Sequence, residues 1–213
     1  MKDFWNDEES SSEDRKRGAI NRQEVLARVV KHALSGKALS AELVAGWRKE
    51  CFEGLSHVSE KDVYFFGAYR GTDHPRLLDL RVGIGDMEGA APGEVKHELD
   101  EFFAEFERRL RSLSLAIEVD EDKSPAKLRR IAALAGWAHG EWVRIHPFAN
   151  GSGRTARLIA NRVLIRFRLL PVVGIRPRPE HPYESAAFAS MSGDHTRMTN
   201  LITDLLQDPA NRF

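Results

Sequence analysis

The sequence predicts a mainly α fold, a helical bundle carrying one short β-hairpin. Three observations carry that prediction. Apolar residues recur at helical spacing through five stretches, strand-like composition is confined to residues 63–85, and Ser, Pro and Gly punctuate the ends of the helical stretches. With 213 residues, 42% of them hydrophobic and 30% charged, the chain suits one globular core with some peripheral elements.

Residues 1–18 (MKDFWNDEESSSEDRKRG) are rich in charge and serine and are expected to form a flexible tail, with Phe4 and Trp5 as its only large apolar groups. A single domain is expected over 19–213. Its first helix carries Ile20, Val25, Leu26, Val29, Val30 and Leu34 as a stripe and stops at Gly36. Ser40 caps a second helix whose apolar side is Leu43, Val44, Trp47, Cys51 and Phe52, up to Gly54.

Over residues 63–85 the pattern changes. VYFFGAYRG and LLDLRVGI, rich in aromatic and branched residues and separated by TDHPR, predict a hairpin. Arg70 and Arg81 on these runs have two readings, anion or target binding and charged protection of a strand edge.

After GDMEGAAPG a long helix is expected over about 94–115, with Leu99, Phe102, Phe103, Phe106, Leu110 and Leu113 facing a core. Ser124 and Pro125 start the next one, which carries Leu128, Ile131, Leu134, Ala135, Ala138 and Trp142 and delivers the chain to His146. A further helix begins near Arg154. LLPVVGIRPRP ends it, and two last helices are expected over 183–191 and 194–206.

The chemistry concentrates in HPFANGSGRTAR, residues 146–157. Gly151 and Gly153 can both adopt positive φ and turn successive N–H groups toward one point, at a helix N-terminus whose dipole favours a phosphate. Arg154 and Arg157 share a face of the first turn, and guanidinium forks suit phosphate oxygens. Pro147 keeps His146 out of a regular helix, and its imidazole is the natural general base.

This run resembles the signature of the Fic (Fic/Doc) family, HPFx[D/E]GNGRxxR, whose members mostly transfer AMP from ATP to a hydroxyl of a protein. The resemblance implies a Fic-type helical bundle with the hairpin as a flap that clamps the target protein by strand pairing. It implies His146 as base, the Gly151, Ser152 and Gly153 nest as phosphate holder, and Arg154 and Arg157 as the grip on the leaving end of the nucleotide. Phe148 is then a core anchor, Tyr183 a residue of the base pocket by family position, and GDHTRMTNLITDLL the closing helix. ATP is the implied co-substrate and Mg²⁺ the implied cofactor.

Two positions depart from the pattern. Asn150 stands where the family has an acidic metal ligand, and Ser152 where it has asparagine. A neutral ligand holds a hard cation less well, so Asn150 predicts weak Mg²⁺ binding or a preference for Mn²⁺. Ser152 is expected to donate to a phosphate or to cap the helix. The inhibitory [S/T]xxxE[G/N] motif of the family is matched only partially, at Ser56 to Glu60 and Ser114 to Glu118, so either a separate antitoxin-like chain is the expected inhibitor or the weakened metal site itself keeps activity low.

Composition narrows the partners. The 32 basic and 32 acidic residues cancel, which leaves no global field for nucleic acid or an anionic membrane. One cysteine, Cys51, rules out an internal disulfide framework and reads as a small buried hydrophobe; with no signal-length apolar stretch, the chain is expected in the cytoplasm. His181 and His195 lack metal-ligand spacing. Three readings stay open: AMP transfer to a protein hydroxyl, transfer of another nucleotide or a phosphate, and a weak or inactive fold that binds nucleotide or a partner.

Overall fold

The computed structural model describes residues 11–55, 66–72, 74–175 and 179–211. Seven α-helices occur among them: α1 (Ser12–Leu34), α2 (Ala41–Glu50), α3 (Val95–Ala116), α4 (Pro125–Ile145), α5 (Ser152–Arg166), α6 (Tyr183–Ser190) and α7 (Thr196–Gln207). Short 3₁₀ turns, Pro92–Glu94 and Pro209–Asn211, lead into α3 and follow α7. No helix among the described residues is long and apolar enough to cross a membrane.

Three helix starts follow serine caps. Ser40 accepts from the Leu43 N–H at 3.2 Å, and Ser124, followed by Pro125 at the first helical position, accepts from the Lys127 N–H at 3.4 Å. The expected tail over 1–18 is too long. Helix α1 begins at Ser12, because Ser11 accepts from the Asp14 N–H at 3.1 Å and Glu13 and Asp14 lie where the helix dipole favours acids. The charged composition hid this turn, whose buried positions are Asp14 and Gly18 rather than apolar residues. Phe4 and Trp5 lie outside the described residues.

Helix α4 is the centre of the bundle, packed against α3, α5, α6 and α7. Helix α5 is buried on nearly every side, from Ser152 to Ile165 with Gly153 the exception, so it is a core helix and not the one-sided one its flanking charges suggest. Two of the polar residues inside it bond main-chain groups of other segments. Asn161 donates to the Val173 carbonyl at 2.8 Å and accepts from the Val173 N–H at 3.0 Å, and Arg162 bonds the Lys37 carbonyl. Cys51 is buried, with its thiol pKa pushed up by burial.

The hairpin overlaps only the end of the expected range 63–85 and runs on to Glu88. Strands β1 (Gly83–Ile84) and β2 (Met87–Glu88) pair antiparallel, with Gly85 at φ 61° in the first position of the two-residue turn. Residues 63–65 lie outside the described residues, Phe66 and Gly67 are helical, and 75–79 form turns. The aromatic residues that suggested a strand serve packing instead: Phe66 stacks on Phe52 at 4.2 Å, and Tyr69 on Phe148 at 4.6 Å.

Candidate active site

Helices α4 and α5 are joined by the loop 146–151, and the site is built at that junction. Trp142 on α4 donates from Nε1 to Thr155 Oγ1 on α5 at 2.8 Å, which fixes the two helix ends relative to each other. Phe148 is buried between them, against Tyr69 and Trp142, and anchors the loop.

His146 ends α4 in the left-handed region, at φ 49° and ψ 58°. Pro147 is expected to keep His146 out of a regular helix, and the backbone there is left-handed. For a non-glycine residue that costs about 1–2 kcal/mol. Arg70 supplies the compensation. Its Nε donates to the His146 carbonyl at 2.8 Å, and its own N–H donates to the Pro147 carbonyl at 2.8 Å. The His146 pKa falls to about 4, first because the ring is buried and then because the Arg70 cation lies near, with the Val143 carbonyl acting the other way. The ring is therefore neutral at pH 7, the form in which it can accept a proton.

Gly151 adopts φ 85° just before α5. A Cβ there would stand 2.4 Å from Arg48 Nε, so the position excludes other residues on two grounds. Gly153, by contrast, lies within α5, so the expected nest has one left-handed residue and not two. Ser152 is fully buried and its hydroxyl turns away from the helix mouth. It accepts from the Phe148 N–H at 3.2 Å and donates to the Phe148 carbonyl at 3.4 Å, so it pins the loop, contrary to the phosphate-donor or capping role expected for it.

The two signature arginines are mostly buried and differ in what holds them. The Arg154 guanidinium lies 5.1 Å from the Phe52 ring centroid. Arg157 donates from Nη1 to the Tyr183 hydroxyl at 2.9 Å and from Nη2 to the Ile175 carbonyl at 3.0 Å. Tyr183 is itself 3% exposed and bonded to His139 Nε2 at 2.9 Å. A cavity of about 320 Å³ lies behind the Ile175 wall, lined also by Ala19, Arg22 and Leu26 of α1, and no signature residue lines it.

Two arginines outside the signature complete the loop. Arg48 on α2 is 1% exposed, donates from Nε to the Asn150 main-chain carbonyl at 2.9 Å and lies 3.8 Å above the Phe52 ring. Its signal in the sequence is a lone cation on an apolar face, four residues from both Val44 and Phe52. Arg70 is also 1% exposed, which removes it from anion or target contact. Arg81 pairs with Glu88 at 2.7 Å on the exposed hairpin surface. His195 is paired with Glu141 at 3.1 Å, away from any metal-like cluster.

Residues 146–157 include no Asp or Glu, and among the described residues no group of three or more His, Cys, Asp or Glu could hold a metal. Position 150 is instead flanked by the cation of Arg48, and Arg154 and Arg157 follow it. This donor set does not fit a Mg²⁺ ion held by the protein, because a hard dication needs anionic oxygen. It does fit the phosphates of a nucleotide, which guanidinium groups and the N-terminus of α5 neutralise directly.

Known proteins resemble this chain in sequence and in fold. A family model described as the Fic/DOC family matches residues 38–164. A protein adenylyltransferase Fic from Aedes aegypti is 37% identical over 70 residues, 33% of this chain and 14% of that protein. One from Nematostella vectensis is 40% identical over 72 residues, 34% of this chain and 16% of that protein. The matched region thus spans about one seventh of the length of these relatives. Among solved structures, the N-terminal Fic domain of the Bep8 effector protein from Bartonella sp. 1-1C superposes with a TM-score of 0.59 at 14% identity, covering 100% of this chain and 94% of that one. The BepC effector protein from Bartonella tribocorum, solved with bound AMPPNP, gives a TM-score of 0.54 at 15% identity, covering 88% and 86%. With a family model spanning well over half of its length, the chain belongs to the Fic/DOC family.

Proposed function

We propose that this Fic-family chain transfers AMP from ATP to a hydroxyl side chain of a target protein. The observation that carries the reading is the placement of a neutral His146 at one end of a loop whose other end, α5, presents Arg154 and Arg157. The adenylyltransferase names of the relatives and the AMPPNP in a structural neighbour support it.

In this reading the target hydroxyl oxygen attacks the α-phosphorus of ATP, its proton passes to His146, and the bond to the β-phosphate oxygen breaks so that pyrophosphate leaves. The chain contributes orientation and charge, not a covalent intermediate. Arg154, Arg157 and the amides at the start of α5 hold the phosphates. The target segment pairs with the edge of the Gly83–Glu88 hairpin, which reads main chain and little sequence. The proposed control is a separate antitoxin-like chain or the weak metal site at Asn150.

The absence of a carboxylate in the signature favours a second reading, a fold that binds nucleotide without transferring it. One experiment separates the two. Labelled ATP is incubated with the chain and a proteome, beside His146→Ala, with GTP, UTP and CTP in parallel. Protein-bound label that His146→Ala abolishes, with ATP binding retained, supports transfer; nucleotide binding without label in either protein supports the second reading. Label with another nucleotide alone would overturn ATP as the donor.

A further inference from the structure

We infer that Arg70 is a positioning residue that locks the hairpin and the His146 base into one unit, so that a hydroxyl presented by the hairpin meets the base at a fixed offset. This rests on the transferase reading for its consequence, but on contacts alone for the coupling.

The Arg70 guanidinium gathers carbonyls from three separate segments. Nη1 donates to Leu80 at 2.8 Å and Nη2 to Ala90 at 2.9 Å, on the chain entering the hairpin and on the chain leaving it. Nε donates to His146 at 2.8 Å and Nη2 also to Ile145 at 3.1 Å, the last turn of α4, where a helix dipole favours a cation. The two residues that follow β2 also meet the end of α4. The Ala90 N–H donates to the Ile145 carbonyl at 3.2 Å, and a Cβ on Gly89 would stand 2.6 Å from His146 Cβ. Glycine at 89 is what lets the strand lie on the histidine.

The chemistry of the side chain explains why arginine stands here. A planar fork with five donors satisfies four carbonyls at once, whereas an ammonium has three donors and no plane. Each carbonyl is a main-chain group, so the contact fixes backbone position and carries no sequence preference for the target. Removing the fork leaves the hairpin and the end of α4 joined by the Ala90 to Ile145 bond and by packing at Gly89. The base then keeps its identity and loses its registration with the strand.

The test uses the full chain with Arg70→Lys and Gly89→Ala. Three quantities are read: ATP affinity by calorimetry, the AMP-labelling rate at saturating ATP and target, and amide hydrogen exchange over residues 80–90 beside the global melting temperature. For Arg70→Lys the expected result is ATP affinity within about twofold of the parent, labelling lower by about 10-fold to 100-fold, and faster exchange at Gly89 and Ala90. Gly89→Ala retains Arg70 and is expected to lose labelling to a similar extent, which keeps the inference testable if Arg70→Lys folds poorly. Unchanged exchange and unchanged labelling in both variants would overturn the coupling. Absence of labelling in the parent chain would overturn the transferase reading, while the exchange measurement still decides the coupling.

Discussion

The hydroxyl of Tyr183 stands 2.9 Å from Arg157 Nη1, with His139 Nε2 2.9 Å from the same oxygen. A guanidinium can only donate, so the tyrosine oxygen accepts from Arg157; the direction of its bond to His139 Nε2 follows the imidazole tautomer. Burial first, then the Arg157 cation and His195, hold the His139 pKa down at about 3, so the neutral form persists. Tyr183→Phe keeps the ring and leaves Nη1 of a mostly buried arginine without this acceptor, which costs about 1–3 kcal/mol. If Arg157 grips the nucleotide, ATP affinity falls by roughly 5-fold to 100-fold, read by calorimetry. Unchanged affinity would mean that Tyr183 does not aim Arg157.

The acid limb of the transfer rate tests the state of His146. A base works in its neutral form, and the ring loses its proton at about 4. Labelling is therefore expected to stay flat between pH 5.5 and 8. An exposed histidine of ordinary pKa would instead lose about nine-tenths of its neutral form by pH 5.5. A fall of that size, with ATP kept saturating, would refute the buried-base account.

How much of this was legible in the sequence follows from how local each feature is. Ser40, Ser124 and Pro125 mark helix starts because capping is a matter of three or four residues, and the contiguous run from His146 to Arg157 declares its chemistry by spacing alone. The roles of Arg48, Arg70 and His139 could not be read that way. Arg70 meets carbonyls 10 and 76 residues along the chain, and only the folded backbone decides that a charged residue goes inside. Ser152 was misread for the same reason, since its position in the signature says nothing about which way its hydroxyl turns. The hairpin was misplaced because aromatic residues at 64–69 suggest strand composition, while the strands form around Gly85, where the turn permits them.

Acid should destabilise the fold earlier than its carboxylates require. Both His139 and His146 fall below the ordinary 6.5, to about 3 and about 4. Below pH 6.5 the unfolded chain takes up protons at these rings that the folded chain refuses. Their contribution is thus complete above 6.5 and is lost as pH falls toward the folded values, by up to about 1.4 kcal/mol per pH unit for each ring. Glu105 and Glu141, held at about 2 in the fold, add to the slope only below the ordinary carboxylate value of 4.5. Urea unfolding at pH 5 and pH 7 measures the difference, and His139→Gln should remove about half of it. An equal slope in that variant would contradict the burial argument.

Gly151→Ala tests the turn into α5. The new methyl meets φ 85° and the Arg48 guanidinium at once. Backbone strain alone costs about 1–2 kcal/mol, and displacement of Arg48 from the Asn150 carbonyl adds to it. The melting temperature should drop and ATP affinity should fall with it, because the loop carries both. Gly153→Ala is the control: that position is helical, and its nearest outside atom, Arg157 Nη1, is 3.4 Å from the added carbon. It should be close to neutral for stability, and equal losses in the two variants would refute the assignment of the turn to Gly151.

Asn150→Asp asks whether the missing carboxylate is what separates this chain from a metal-dependent site. Arg48 binds the main-chain carbonyl at position 150, a group that the substitution keeps. An aspartate supplies the anionic oxygen that a hard dication needs, although the neighbouring guanidinium groups compete for it. The parent chain is expected to bind ATP with nearly equal affinity in Mg²⁺ and in EDTA, since cationic side chains and the α5 N-terminus carry the phosphates. The variant is expected to bind more tightly in Mg²⁺ than in EDTA, by about tenfold, or about 1.4 kcal/mol. A strong Mg²⁺ dependence already present in the parent would show that the nucleotide's own metal fits the site without a carboxylate. No gain in the variant would show that Arg48, Arg154 and Arg157 neutralise any carboxylate placed there.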